Sequence, residues 1–416
     1  MDLLSQPAVD AIPDMSSRRP TSSRVPGDPA EVAKAAELLV TSKRPVIYAG
    51  GGAVLSEAHA EITELAEHLG IPVVTSLSGQ GAISQDHELS AGYTATVGTP
   101  ISHELVNQAD VALVLGSQLG EMETSSFSPE VSFRVPPTRL IQIDIEPGQI
   151  GKNYPVTVGI QGDVRTVLRQ LVEVVHESLP SREYRNTQRF RNFRARADAW
   201  TSEIEQAARS DAKPIRVERL LADIRTALPR EGIFLTDVGI RHQVAQQFPV
   251  YMPMTHYVGS GWGTMGGAVA AALGAKLGRP EIPVVAEVGD GAFSSVLSAV
   301  VTAVEHDIAV TWVVMNNFGY SSIAVYQNKH DLGAVGTSFR TNDGRPYNPD
   351  FARFAEACGA RGIRIDEPTD FLPALKNAIG SGQPWVLDVH TEEAPRSRAS
   401  GSWDVNEILS GQRFRD

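Results

Sequence analysis

The chain has 416 residues, 42% apolar and 21% charged, the composition of an ordinary globular protein large enough for two or three domains. A net charge of −12, from 49 acidic against 37 basic side chains, argues against nucleic acid or an anionic membrane as a partner, since both need a basic surface. One cysteine, Cys358, excludes an internal disulfide framework and a cysteine zinc site. No apolar run reaches the roughly 18 residues that span a bilayer, and the N-terminus carries no basic-then-apolar leader. A cytoplasmic location is the expectation.

Residues 1–29 are rich in Pro, Ser and Arg and read as a linker or strap. Asp28 and Pro29 then supply a helix N-cap and first position. A central α/β domain is expected over 30–177. Its strands fall at 46–49, 72–75, 111–115 and 140–144, with a Gly50–Gly52 turn and helices at 57–69 and 164–175. Each strand is a short apolar run between turn residues, as in a central parallel sheet. Residues 178–213 carry dense alternating charge around Phe190, Phe193 and Trp200 and read as a solvated helical linker. A second α/β domain is expected over 214–416, with strands at 233–236, 284–288, 310–315 and 385–389. The predicted fold class is α/β, with two Rossmann-like, doubly wound parallel-sheet domains.

The chemistry gathers around Gly289-Asp-Gly291 and, 27 positions after Asp290, Asn316-Asn317. A strand, a helix and a second strand fit that spacing. They place a carboxylate and a carboxamide at the carboxyl ends of two strands, where open α/β sheets bind ligands. Asp290 and Asn317 form a hard, oxygen-only cation site. The glycines let backbone N–H groups approach an anion. Magnesium bridging to a diphosphate suits that set. Capping roles would explain either residue alone, but not the two together with their glycines.

These motifs resemble those of thiamine diphosphate enzymes of the acetolactate synthase and pyruvate decarboxylase superfamily. The resemblance implies Mg²⁺ bound by the side chains of Asp290 and Asn317 and by the carbonyl of Gly319. Residues 259–267 resemble the Gly-x-Gly-x-Met-Gly segment of that family. By that likeness the Gly263 carbonyl accepts from the cofactor's 4′-amino group, Thr264 adjoins it, and Met265 is the wedge beneath the bent cofactor. A thioether fills such an irregular gap well. Residues 236–242 resemble the turn that holds the terminal phosphate. There Gly239 offers its N–H, and Arg241 or His242 adds charge-assisted donors. Gly289, Gly291, Ala292, Tyr320 and Ser322 complete the implied cofactor contacts. Ile323, Tyr326 and Gln327 are candidates for the substrate pocket, each equally explained by packing. The chain departs from the family at Ile240-Arg241, where Gln-His is frequent, and at Ala299-Val300, where Glu-Leu is frequent. In the central domain Gly50–Gly52 and Asp144 suggest a nucleotide loop. The Gly-x-Gly-x-x-Gly spacing is missing, so FAD is admitted but an empty domain is favoured.

In such enzymes a glutamate of a separate pyrimidine-binding domain activates the cofactor, and these 416 residues have no room for that domain. Two explanations stand: a natural split enzyme, with that domain on a partner subunit, or a truncated fragment. The split implies a hetero-oligomer with two copies of each chain, and a chain inactive alone. The implied function is the large subunit of an acetolactate synthase-like carboligase. It would decarboxylate a 2-keto acid and join the remainder to a second carbonyl. A 2-keto acid decarboxylase or a C–C lyase is the alternative. A non-catalytic cofactor-binding or regulatory subunit is the alternative of another class.

Overall fold

Twelve strands and fourteen helices alternate along the chain in a computed structural model that describes residues 23–96, 98–259, 262–329, 332, 333 and 335–392, without the side chains of Tyr326 and Lys329. Most of the expected strap (1–22), Ser260 and Gly261 of the methionine segment, and 393–416 of the second domain lie outside the described residues.

The first half runs α1 (Pro29–Thr41), β1 (Pro45–Ala49), α2 (Gly51–Leu55), α3 (His59–Leu69), β2 (Val73–Thr75), β3 (Ser90–Tyr93), α4 (Pro100–Gln108), β4 (Val111–Leu115), β5 (Arg139–Asp144), β6 (Val158–Gln161) and α5 (Val164–Ser178). Its sheet has the order β3-β2-β1-β4-β5-β6, every pair parallel. Side chains alternate between faces, as the two-residue period of a strand requires. Ile47 and Ala49 pack with Leu39, Ile62 and Leu171 on one side. Val46 and Tyr48 pack with Val114 and Phe133 on the other. Burial of each such aliphatic or aromatic side chain contributes about 1.5–3 kcal/mol.

Helix α6 (Gln188–Ala208) leads to the second half. This is α7 (Val217–Ala227), β7 (Ile233–Thr236), α8 (Arg241–Gln247), β8 (His256–Val258), α9 (Gly267–Gly278), β9 (Val284–Gly289), α10 (Asp290–Ser294), α11 (Ser298–Glu305), β10 (Thr311–Asn316), α12 (Ser321–Lys329), α13 (Phe351–Ala357), β11 (Arg361–Ile365), α14 (Pro368–Gly380) and β12 (Trp385–His390). Its sheet is again wholly parallel, in the order β11-β12-β10-β9-β7-β8. Trp312 and Val314 face one core; Val313 and Met315 face the other. Both sheets are doubly wound, as expected.

Two local expectations are corrected. Gly51 and Gly52 begin a helix instead of a turn, and the helix expected over 57–69 starts only at His59, after Glu57 at φ 57°. The single helix expected after Gly291 is two. Ser294 Oγ donates to the Asp290 carbonyl and Ser295 Oγ to that of Ala292, at 2.8 and 2.7 Å, and such bonds compete with helix continuation. Helix α6 is largely exposed, as its charge pattern leads one to expect, and is anchored on the first sheet at one buried residue. Phe193 is buried in its core, and the Arg189 guanidinium donates to the carbonyls of Lys43 and Pro45 at 3.0 and 2.9 Å.

Candidate functional site

In the second sheet the strand order reverses between β7 and β9. At that point the loops following the two strands diverge and leave a crevice at their carboxyl ends. Residues 237–239 follow β7, Asp290 follows β9 and Asn317 follows β10.

Asp290 is wholly buried at the start of α10. Its Oδ1 accepts from Gly291 N–H at 2.7 Å. Its Oδ2 accepts from the N–H groups of Asn317 and Gly319, each at 3.2 Å, and from Asn348 Nδ2 at 2.7 Å. Burial pushes its pKa up, against the pull of these donors. Three donors crowd Oδ2, whereas Oδ1 carries one and keeps acceptor capacity. Beside it, Asn317 Oδ1 is buried and accepts no hydrogen bond, an arrangement that costs about 1–3 kcal/mol unless something binds there. A hard cation takes such carboxylate and amide oxygens, so the donor set fits the implied Mg²⁺.

The surrounding glycines divide by role. A Cβ on Gly319 would lie 2.3 Å from the Thr337 carbonyl oxygen, and one on Gly291 would lie 2.3 Å from the Tyr320 ring. These two are required by packing. Gly239 and Gly289 have nothing within 4 Å of such a Cβ, so their backbones face open space that a diphosphate can enter. Arg241 opens α8 beside Gly239, and its guanidinium donates to the Gly259 carbonyl at 3.3 Å. His242 follows, but burial pushes its pKa down to about 3. Its imidazole is neutral, with Nδ1 2.8 Å from the Tyr93 hydroxyl. Arg241 alone of the two carries positive charge there.

In the methionine segment Gly263 and Gly266 have φ of 59° and 82°, which favour glycine. A Cβ on Gly266 would also strike Val296 at 2.1 Å. This backbone presents Thr264 and a 45%-exposed Met265 to solvent, leaving the thioether free to press on a ligand. Ala292 is buried in α10. Tyr320 packs edge-on against Phe339, ring centroids 4.8 Å apart. Ser322 and Ile323 are exposed on α12. Gln327 is occupied: it donates to the Val335 carbonyl at 3.0 Å and accepts from Thr337 Oγ1 at 2.9 Å, which makes it a loop anchor. The Tyr326 side chain lies outside the described residues.

In the first sheet a Cβ on Gly50 would lie 2.3 Å from the Gly116 carbonyl oxygen, and one on Gly52 2.8 Å from Gly116 Cα. Close backbone packing accounts for both glycines without a nucleotide. Asp144 accepts from Glu146 N–H at 2.9 Å.

Sequence reasoning missed three groups at the site. Asp237 accepts from the N–H groups of Val238 and Ala268 at 2.9 and 3.1 Å, pinning the first turn of α9 beneath the crevice. Glu287, on β9, accepts from Thr236 Oγ1, and burial pushes its pKa up to about 8. Asn348 bridges Asp290 and Asn316. The acidic residue inside the apolar run 284–288 was the one readable signal; nothing near Asn348 pointed to the site.

Two doubly wound parallel sheets, one ending in a crevice at the switch in its strand order, define an α/β protein of two similar halves. Residues 32–171 match the family model described as thiamine pyrophosphate enzyme, central domain, and residues 237–389 match the C-terminal TPP binding domain. The chain belongs to the thiamine pyrophosphate enzyme family. It is 31% identical over 382 residues to a probable acetolactate synthase large subunit of Methanocaldococcus jannaschii, covering 88% of this chain and 61% of that protein. It is 31% identical over 412 residues to the acetolactate synthase large subunit of Corynebacterium glutamicum, covering 97% and 64%. It is 30% identical over 374 residues to the sulfoacetaldehyde acetyltransferase of Castellaniella defragrans, covering 86% and 61%. The chain therefore spans about three fifths of the length of these relatives.

Proposed function

We propose that the chain is the cofactor-holding part of a Mg²⁺-dependent, acetolactate synthase-like carboligase. The observation that carries this reading is the buried, unpartnered Asn317 Oδ1 beside Asp290. A regulatory or merely structural subunit gains nothing from an uncompensated buried acceptor.

Asp290, Asn317 Oδ1 and the Gly319 carbonyl would hold the Mg²⁺. The N–H groups around Gly239 and Gly289, with the Arg241 guanidinium, would take the diphosphate by charge-assisted hydrogen bonds. Gly263 would accept from the aminopyrimidine, and Met265 would press on it from below. Ser322 and Ile323 would border the substrate. Bound thiamine diphosphate would supply the carbon that adds to a keto group and the electron sink for loss of CO₂. This chain's own residues anchor and orient it.

The relatives named acetolactate synthase favour a 2-keto acid donor and carboligation over simple decarboxylation or C–C lysis. The glutamate that activates the cofactor is assigned to a pyrimidine-binding domain outside this sequence, on a partner subunit or on the same polypeptide. Two relatives are named large subunits, which supports a heteromer. Among the described residues no helix is long and apolar enough to cross a membrane, in keeping with the proposed cytoplasmic location. The test is turnover of 2-keto acids, read as CO₂ and as joined product, by the chain alone and after co-expression with a pyrimidine-domain protein. Activity only in the pair supports the proposal. Near-normal activity of the chain alone refutes the need for a partner, and CO₂ with only aldehyde as product refutes carboligation.

A further inference from the structure

We propose that Asn348 is a positioning residue for the metal-binding carboxylate, reaching it from a segment distant in sequence from both metal motifs. This rests on the reading of Asp290 as a Mg²⁺ ligand. Asn348 lies just before α13, 58 residues after Asp290. Its Nδ2 donates both hydrogens: one to Asp290 Oδ2 at 2.7 Å, the other to Asn316 Oδ1 at 2.7 Å. Asn316 Nδ2 in turn donates to Asp388 Oδ1 at 2.9 Å, and Asp388 Oδ2 accepts from Arg364 Nη1 at 3.0 Å. A relay of two neutral amides thus joins the buried Asp290 to an ion pair at the far side of β12.

The chemistry of the relay fixes its direction. Reversing the Asn348 amide would set its carbonyl oxygen against two acceptors, a carboxylate and a carboxamide oxygen. Only the donating orientation is stable. With Asn348 in place, Oδ2 is tied by a third donor and the carboxylate plane cannot turn about χ2. Oδ1, which accepts only from Gly291 N–H, then keeps a fixed orientation with acceptor capacity to spare. Mg²⁺ tolerates little departure from octahedral geometry at about 2.0–2.1 Å, whereas Ca²⁺ accepts looser, longer coordination. Residues that orient ligands typically change metal affinity roughly ten- to hundredfold when removed. Asn348 is therefore assigned a role in both Mg²⁺ affinity and selectivity against Ca²⁺, without itself touching the ion.

The test uses the full chain at fixed, saturating thiamine diphosphate, titrated calorimetrically with Mg²⁺ and separately with Ca²⁺. Asn348→Ala and the volume-conserving Asn348→Leu are compared with wild type and Asp290→Ala. The expected result for both Asn348 variants is a roughly ten- to hundredfold weaker Mg²⁺ affinity. The Ca²⁺ affinity falls less, and the cofactor-free variants still fold, with melting temperatures modestly below wild type because the buried Asn316 Oδ1 loses its donor. A Mg²⁺ affinity within about threefold of wild type, with the same Mg²⁺ to Ca²⁺ ratio, overturns the proposal. So does failure of both variants to fold, since the asparagine then serves the fold. Asp290→Ala separates the two readings. If it abolishes binding while the Asn348 variants bind normally, only the positioning role fails. If it binds Mg²⁺ like wild type, or if wild type shows no Mg²⁺-dependent binding, the metal site itself fails and this proposal falls with it.

Discussion

The Tyr93 hydroxyl and the His242 imidazole meet across the boundary between the two sheets, 2.8 Å from oxygen to Nδ1. Tyr93 ends β3 of the first sheet and is fully buried. Burial keeps the phenol protonated and the imidazole neutral, so the phenol donates and Nδ1 accepts. His242 directly follows Arg241 at the start of α8. A side chain of the first sheet therefore fixes the helix that faces the proposed diphosphate. Two amides reinforce the seam: Gln246 Nε2 donates to the Gly98 carbonyl at 3.0 Å and Gln80 Nε2 to that of Ala245 at 3.1 Å.

Tyr93→Phe removes that donor and leaves a buried imidazole nitrogen unsatisfied. The expected loss is about 1–3 kcal/mol in urea unfolding, together with weaker cofactor binding. An unchanged unfolding midpoint would show that the seam does not depend on this bond.

Glu287 gives the stability a pH dependence. Its folded pKa is raised from 4.5 to about 8, first by burial and then by the neighbouring Asp237 charge. The folded state therefore binds a proton more tightly than the unfolded state. The stabilisation is full below about pH 4.5 and is lost as pH rises through about 8, at a slope of at most about 1.4 kcal/mol per pH unit. Glu287→Gln, which keeps the shape and stays neutral, should flatten unfolding midpoints between pH 5 and 8. A slope equal to that of wild type would place the titration elsewhere.

Two adjacent glycines should respond in opposite directions. Gly266→Ala meets Val296 at 2.1 Å and keeps φ at 82°, and should destabilise by roughly 1–3 kcal/mol. Gly267 opens α9 with nothing within 4 Å of an added Cβ, and Gly267→Ala should be neutral or stabilise by about 0.5–1 kcal/mol. Thermal unfolding of the pair checks both signs; a stable Gly266→Ala protein would refute the strained turn that displays Met265.

Asn317→Ala removes a buried acceptor that the fold does not use. The cofactor-free variant should be as stable as wild type or more so, a trade of stability for function. A clear loss of stability in chemical denaturation would give Asn317 a structural role instead.

Much of the fold was legible because central parallel strands are continuous apolar runs. The runs at 46–49, 111–115 and 140–144 each fall within a strand buried along nearly its whole length. The strands that were not read, β3, β6, β8 and β11, are all sheet edges. Edge strands have fewer neighbours, so their sequences need little apolar continuity, and β11 is largely exposed. The nearness of Asp290 to Asn317 was legible from spacing, because glycines and strand ends constrain them locally. Asn348 and Tyr93 were not, because their partners lie 58 and 149 residues away and only tertiary packing brings them together. His242, offered as the alternative to Arg241 as a charged donor, has its pKa lowered by burial, which no local motif encodes.

The most direct measurement is calorimetric titration of thiamine diphosphate into the full chain, with and without Mg²⁺, for wild type, Asp290→Ala and Asn317→Ala. Binding by wild type that requires Mg²⁺ and disappears in both variants is the predicted result. Tight, Mg²⁺-independent uptake, or unaltered uptake by either variant, would contradict it.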